Sequence, residues 1–293
     1  MKWDKTAARS RTLRDKRTGG KGGGAVAGGV GGVSLIGLLL YLFLGIGDGS
    51  GIPDAGALGP GAAVELSVDD PSTLDEGVEV FVNAVVSDVS DFWVNTFAEY
   101  GVAYQDPSFT FFDTPISTAC GGATAAIGPH YCSLDKGIYL ELGFLEVMRN
   151  QLGAGEDFAV SYVIAHEFAH HVQQELGISD WMRAEVQYNP RIQNQYSVRL
   201  ELQADCLAGV WAQSLPTEGE GNQGRAVYGI TDTDIVEALD AAASVGDDRI
   251  QQQSAGRVNK EAWTHGSSEQ RQEWFYQGYT TGNTEACDTF ADV

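Results

Sequence analysis

Three of the five histidines in this 293-residue chain fall within six residues, in the stretch VIAHEFAHHVQQELG from Val163 to Gly177. His166-Glu167-Phe168-Ala169-His170 is an HExxH pattern. On a helix, positions i and i+4 share one face, a turn apart. Both imidazoles can then reach one zinc ion, and Glu167 beside them can take a proton from a water held there. Val163, Ile164, Phe168 and Val172 make the helix apolar, so it belongs in an interior. The fold must therefore bury this helix and bring a further ligand to it from another element. A zinc site for hydrolysis uses three protein ligands and leaves one position open.

A metzincin-type extension would need Gly at 173 and His at 176, where the chain has Gln173 and Leu176. His130 and His265 stand in no recognisable ligand context. A carboxylate is therefore expected, with Glu175, Asp180, Glu185, Glu201 and Asp205 as candidates. Glu175 lies on the same helix and is poorly aimed. Glu201 and Asp205 are spaced i and i+4 in the largely apolar helical stretch YSVRLELQADCLAGVWAQSL. Glu201 is expected as the third ligand. Asp205 is expected to accept the other ring N–H of one histidine, which fixes its tautomer. An exposed acidic helix face is the rival reading, and Leu200, Leu202, Ala204, Leu207, Val210 and Trp211 argue against it. His171 projects about 100° away from His170 and reads as structural.

Charge divides the chain. Residues 1–23 hold eight of the 18 basic side chains against Asp4 and Asp15, leaving 10 basic and 38 acidic residues beyond. So acidic a body does not bind nucleic acid by counterion release. The stretch GGGAVAGGVGGVSLIGLLLYLFLGIG, Gly22 to Gly47, carries no charge. It is long enough to cross a bilayer, which takes about 20 apolar residues. A cleaved signal peptide is the rival. The basic region is long for one, and no small-x-small cleavage site follows directly. The expected layout is a cytoplasmic basic segment (1–23), a transmembrane signal anchor (24–47), a Gly/Pro/Ala-rich linker (48–72) and an extracytoplasmic zinc domain (73–293) in the cell membrane. Gly24, Gly28 and Gly32 could pack two anchors together, though they are also simply small residues in a weak apolar run.

Four cysteines in an exported domain suggest two disulfides, with three possible pairings. Cys120 and Cys132 are close and flank a glycine-rich turn, which favours Cys120–Cys132 and leaves Cys206–Cys287. Along the domain, helical spacing runs through Val78, Phe81, Val82, Val85, Val86, Val89, Phe92, Trp93 and Phe97 to a stop at Gly101. SFTFFDTPISTACGG and YCSLDKGIYLEL read as strands. KGIYLEL is either an edge strand on which an extended peptide could pair or a plain core strand. Further helices are expected over 142–153, from Asp157 to Gly177, over 196–215, over Asp232–Ala243 and over Ser267–Thr280. The fold class is α+β, a mostly helical zincin-like domain with a small sheet.

Taken together, HEFAHHVQ, LELQADCLAGVWA, GPHYCSLDKGIYL and HGSSEQRQEWFYQGY…CDTF resemble the neutral zinc metallopeptidase family, membrane-anchored proteins of bacteria that are similar to gluzincins. The resemblance covers roughly residues 75–290. It implies zinc held by His166, His170 and Glu201, Glu167 as general base, and a peptide or protein substrate. It also implies that His265 could donate a hydrogen bond to the tetrahedral intermediate, as a distal histidine does in related gluzincins; a histidine at a helix entry is the competing reading. Two other functions stay open. One is a silent envelope scaffold with a structural zinc, against which Glu167 argues because such a site needs no base. The other is a hydrolase of a non-peptide amide, for instance in the cell wall.

Overall fold

A computed structural model describes residues 1–7, 9–16, 76–124, 128–141 and 157–292. The anchor, the linker and the helix expected over 142–153 lie outside these residues. Among the described residues no helix is long and apolar enough to cross a membrane.

The architecture is α+β. Helix α1 (Glu76–Glu99) follows its apolar spacing, with Val82, Val85, Val86, Val89, Trp93 and Phe97 buried. It ends just before Gly101, whose φ of 67° suits glycine. Strands β1 (Lys2–Trp3), β2 (Leu13–Asp15), β3 (Ser108–Phe112), β4 (Ile116–Thr118), β5 (Gly121–Ala123), β6 (His130–Cys132), β7 (Gly137–Glu141) and β8 (Val227–Tyr228) are short. The main sheet has the order β2-β3-β7-β6, parallel except for β6. Alternation sorts its side chains. Phe109, Phe111, Ile138 and Leu140 join the core under the helices, while Phe112 and Tyr139 meet Ala123 and Cys132 on the opposite face. KGIYLEL is thus the interior strand β7, and β6 forms the edge.

Helix α2 (Asp157–Glu175) carries the HExxH pattern and packs on α1, on β6, on α4 (Gln193–Gln213) and on α5 (Asp232–Ser244). The short helices α3 (Ile178–Tyr188) and α6 (Asp247–Ala255) complete the surface. Helix α7 (Ser268–Thr281) crosses α4 at two glycines that let backbone meet backbone. A Cβ on Gly209 would lie 2.1 Å from the Phe275 carbonyl oxygen, and one on Gly278 would lie 1.9 Å from that of Cys206. Disulfides join Cys120 to Cys132 and Cys206 to Cys287, the second tying the C-terminal turn to α4.

The N-terminus departs from expectation. The sequence places residues 1–23 in a basic cytoplasmic segment; of these, residues 1–7 and 9–16 are built into the domain. β1 pairs antiparallel with β8, and β2 extends the main sheet beside β3. Leu13 is buried opposite Phe109. Arg11 donates to Asp106 at 2.7 Å and to Asp91 at 3.3 Å, and the Ser10 N–H donates to Asn83 at 2.8 Å. Arg11, part of the basic charge that suggested a cytoplasmic flank, finds acidic partners on the domain itself, and the apolar residues around it are too few to show as a strand pattern. One bilayer crossing between residues 16 and 76 would leave these partners on opposite sides. That crossing and this pairing exclude each other.

Candidate metal centre

His166 and His170 lie one turn apart on α2, with ring centroids 4.7 Å apart. Glu201 faces them from α4. Its Oε2 is 3.2 Å from His166 Nε2 and its Oε1 is 3.5 Å from His170 Nε2. One donor atom from each of the three residues lies within 4.8 Å of the others. The side chains of His170 and Glu201 keep 19% and 16% of their exposure, so the cluster is reachable from solvent.

The groups behind the rings decide which nitrogen faces inward. His166 Nδ1 donates to Asp205 Oδ1 at 2.8 Å, and His170 Nδ1 donates to Gln173 Oε1 at 2.9 Å. Both Nε2 atoms are thereby turned toward Glu201. Two imidazole nitrogens, each oriented from behind, and one carboxylate match the donor set of a hydrolytic zinc site. Gln173 is itself fixed, donating to the Leu200 carbonyl at 2.7 Å and to Gln203 at 3.1 Å. Gln203 in turn donates to the Cys287 carbonyl at 3.1 Å. His170 is therefore backed by a relay that ends at the C-terminal disulfide.

Asp205 is fully buried and also accepts from Tyr162 and Arg271. Burial pushes its carboxyl up, and Arg271 and His166 outweigh that, leaving it below its ordinary value. Burial likewise pushes Glu201 up, yet His170, the bond to His166 and the field of His265 hold it well below the usual range. Burial pushes His166 down, and Asp205 and Glu201 overcome this, raising it to about 9.

Glu167, 7% exposed, sits on α2 between the two histidines. His265 lies in the loop entering α7. Its Nδ1 is 3.3 Å from Asp247 Oδ1 and 2.8 Å from the Thr264 hydroxyl. Asp247 Oδ2 accepts the backbone N–H groups of Thr264, His265 and Gly266, so this loop is anchored to α6. His171 is wholly buried. It donates from Nε2 to the Gln105 carbonyl at 2.6 Å and accepts the Tyr131 hydroxyl at Nδ1, 3.0 Å away. It holds α2 to the sheet edge and takes no part in the cluster.

Tyr162, Gln173, Asp247 and Arg271 were not among the residues expected at the site. Gln173 carried a faint signal, a polar residue at i+3 from His170 on a buried helix. Tyr162 carried the matching one at i−4 from His166.

An HExxH helix, a glutamate from a second helix and polar groups oriented behind the histidines together make a cluster that could hold a metal ion. The chain belongs to the family described as "Putative neutral zinc metallopeptidase", whose pattern matches residues 1–290. It is similar to the uncharacterized protein YpfJ of Escherichia coli K12, 42% identical over 211 residues, which is 72% of this chain and 70% of that one. It is also similar to the uncharacterized proteins Mb2605 of Mycobacterium bovis and Rv2575 of Mycobacterium tuberculosis H37Rv. Each is 46% identical over 190 residues, 64% of either chain. No solved structure matches the chain.

Proposed function

We propose that this protein is a zinc-dependent peptidase that hydrolyses peptide bonds outside the cytoplasm. The observation that carries the reading is the convergence of His166 Nε2, His170 Nε2 and the Glu201 carboxylate, with both rings oriented from behind. Zinc, when bound there, supplies the Lewis acidity that activates water and polarises a scissile carbonyl. Glu167 takes the proton of the attacking water and passes it to the leaving amine. His265, oriented by Asp247, donates a hydrogen bond to the developing oxyanion, a contribution of about 3 kcal/mol for such donors. An extended substrate pairs along the edge strand β6, which His171 and Tyr131 hold beside α2.

The two disulfides favour an oxidising compartment. Attachment to the cell membrane through residues 24–47 rests on their apolar sequence. Pairing of β1 and β2 with the domain favours residues 1–16 and the metal helix on the same, outer side. An impermeant thiol reagent applied to intact cells should then label Lys5→Cys and Glu218→Cys equally. Labelling at only one of them rules out that arrangement.

Hydrolysis is tested with labelled peptides, with and without chelator, on the native chain and on Glu167→Gln. The variant should keep its zinc and lose cleavage, since an amide cannot accept the proton. Cleavage retained in a zinc-loaded Glu167→Gln protein removes Glu167 from the role of base.

A further inference from the structure

Asp205 supports His166, and it is itself held from an unexpected direction. Its two oxygens accept four bonds. Oδ1 takes the Tyr162 hydroxyl at 2.6 Å, His166 Nδ1 at 2.8 Å and Arg271 Nη2 at 2.8 Å, while Oδ2 takes Arg271 Nε at 2.7 Å. Arg271 is 1% exposed and comes from α7, a helix that supplies none of the candidate ligands. Its Nη2 also lies 3.8 Å from Glu201 Oε2, and its Nη1 has no hydrogen-bond partner among the described residues.

We propose that Arg271 is a positioning residue for the metal: its planar fork locks the Asp205 carboxylate so that Oδ1 stays on His166 Nδ1 and His166 Nε2 stays aimed at the site beside Glu201. This rests on the zinc-peptidase reading above. Tyr162 and His166 both bond the same oxygen. Without Arg271, Oδ2 would have no donor and the carboxylate plane would be free to turn. Two parallel N–H bonds from a guanidinium fix a plane, which an ammonium group cannot do. Burying an arginine whose Nη1 finds no acceptor is costly for stability alone. The same cation lies against both Asp205 and Glu201, the two carboxylates nearest His166, so moving it disturbs a ligand and a ligand's support together. Its height on α7 is set seven residues on, where Gly278 touches the Cys206 backbone.

The test measures zinc affinity of the full chain by competition with a chromogenic chelator, beside the visible spectrum of the cobalt-substituted protein and the melting of the chelator-treated protein. Arg271→Met should weaken zinc 10- to 100-fold, the usual range for groups that orient a ligand. Arg271→Lys keeps the charge and loses the fork. It should still lose at least several-fold and alter the cobalt bands while its melting stays near native. Asp205→Asn should show the same defect, and the double variant Arg271→Lys/Asp205→Asn should bind scarcely worse than the poorer single. If Arg271→Met does not fold, Arg271→Lys decides. Native zinc affinity and native cobalt bands in Arg271→Lys overturn the inference and leave the peptidase reading standing. Failure of the unaltered chain to take up zinc removes both.

Discussion

The crossing of α4 and α7 sets the height of Arg271 against Asp205, and Gly278→Ala tests it directly. A Cβ at 278 would sit 1.9 Å from the Cys206 carbonyl oxygen and 2.8 Å from its carbon, against 3.4 Å for ordinary contact. The atoms met are backbone, so no side chain can swing aside and α7 must retreat by about 1.5 Å. Gly278 lies within α7 without a positive φ, so alanine is conformationally allowed there and gains about 1 kcal/mol of helix propensity. Overpacking costs about 1–3 kcal/mol. A retreat of that size also carries the 2.7 Å bond from Arg271 Nε to Asp205 beyond hydrogen-bonding range. Separating a buried pair costs about 3 kcal/mol or more. The losses win, by about 4 kcal/mol net. For a domain of this size each kcal/mol moves Tm by about 2–4 °C, so the variant should melt about 8–16 °C lower and bind zinc more weakly. Gln277→Ala, on the exposed side of the same helix, is the control and should change stability by less than about 0.5 kcal/mol. Circular dichroism melts of chelator-treated protein, followed by zinc titration, give both numbers. A Gly278→Ala protein that melts at or above the native temperature refutes the contact, because propensity alone would then be acting.

Two further outcomes follow from the same site. Glu201→Ala removes one of the three proposed ligands and should abolish most zinc uptake at micromolar metal; full occupancy by elemental analysis would require another third ligand. In chelator-treated protein His166 titrates near 9 rather than at its ordinary 6.5, through Asp205 and Glu201 acting against burial. That raised value stabilises the metal-free fold fully below about pH 6.5, and the benefit is lost as pH rises through about 9. Zinc has to displace that proton, so its affinity should climb steadily with pH, by up to about tenfold per unit, and level off above about 9, read by chelator competition between about pH 6.5 and 9.5. An affinity flat over that range contradicts the bond to Asp205.

What the chain reveals in one dimension is what repeats along a helix. His166 and His170, and Glu201 and Asp205, are each spaced one turn apart on apolar helices, so a shared face and an inward direction could both be read. Arg271 could not, because SEQRQEW reads as a solvated surface and only the packing of α7 on α4 turns position 271 inward with Phe275 and Gly278. Asp247 and His265 are 18 residues apart, and a loop closes them. Strand character was clear in KGIYLEL, but a sequence does not say how many neighbours a strand has, and β7 has two. The N-terminal strands were missed because two and three residues carry no period. Their evidence lies in the partners, Val227 and Phe109, far along the chain.

That distance bears on how the molecule is made. β2 is synthesised well before its parallel neighbour, which ends at Phe112, 65 residues beyond the close of the apolar stretch at Gly47. At about 5–20 residues per second, the ribosome leaves the greasy segment without its neighbouring sheet for about 3–13 s. Pairing of β2 with β3 is therefore delayed by the length of chain between them, and it is settled before the histidine helix has been translated.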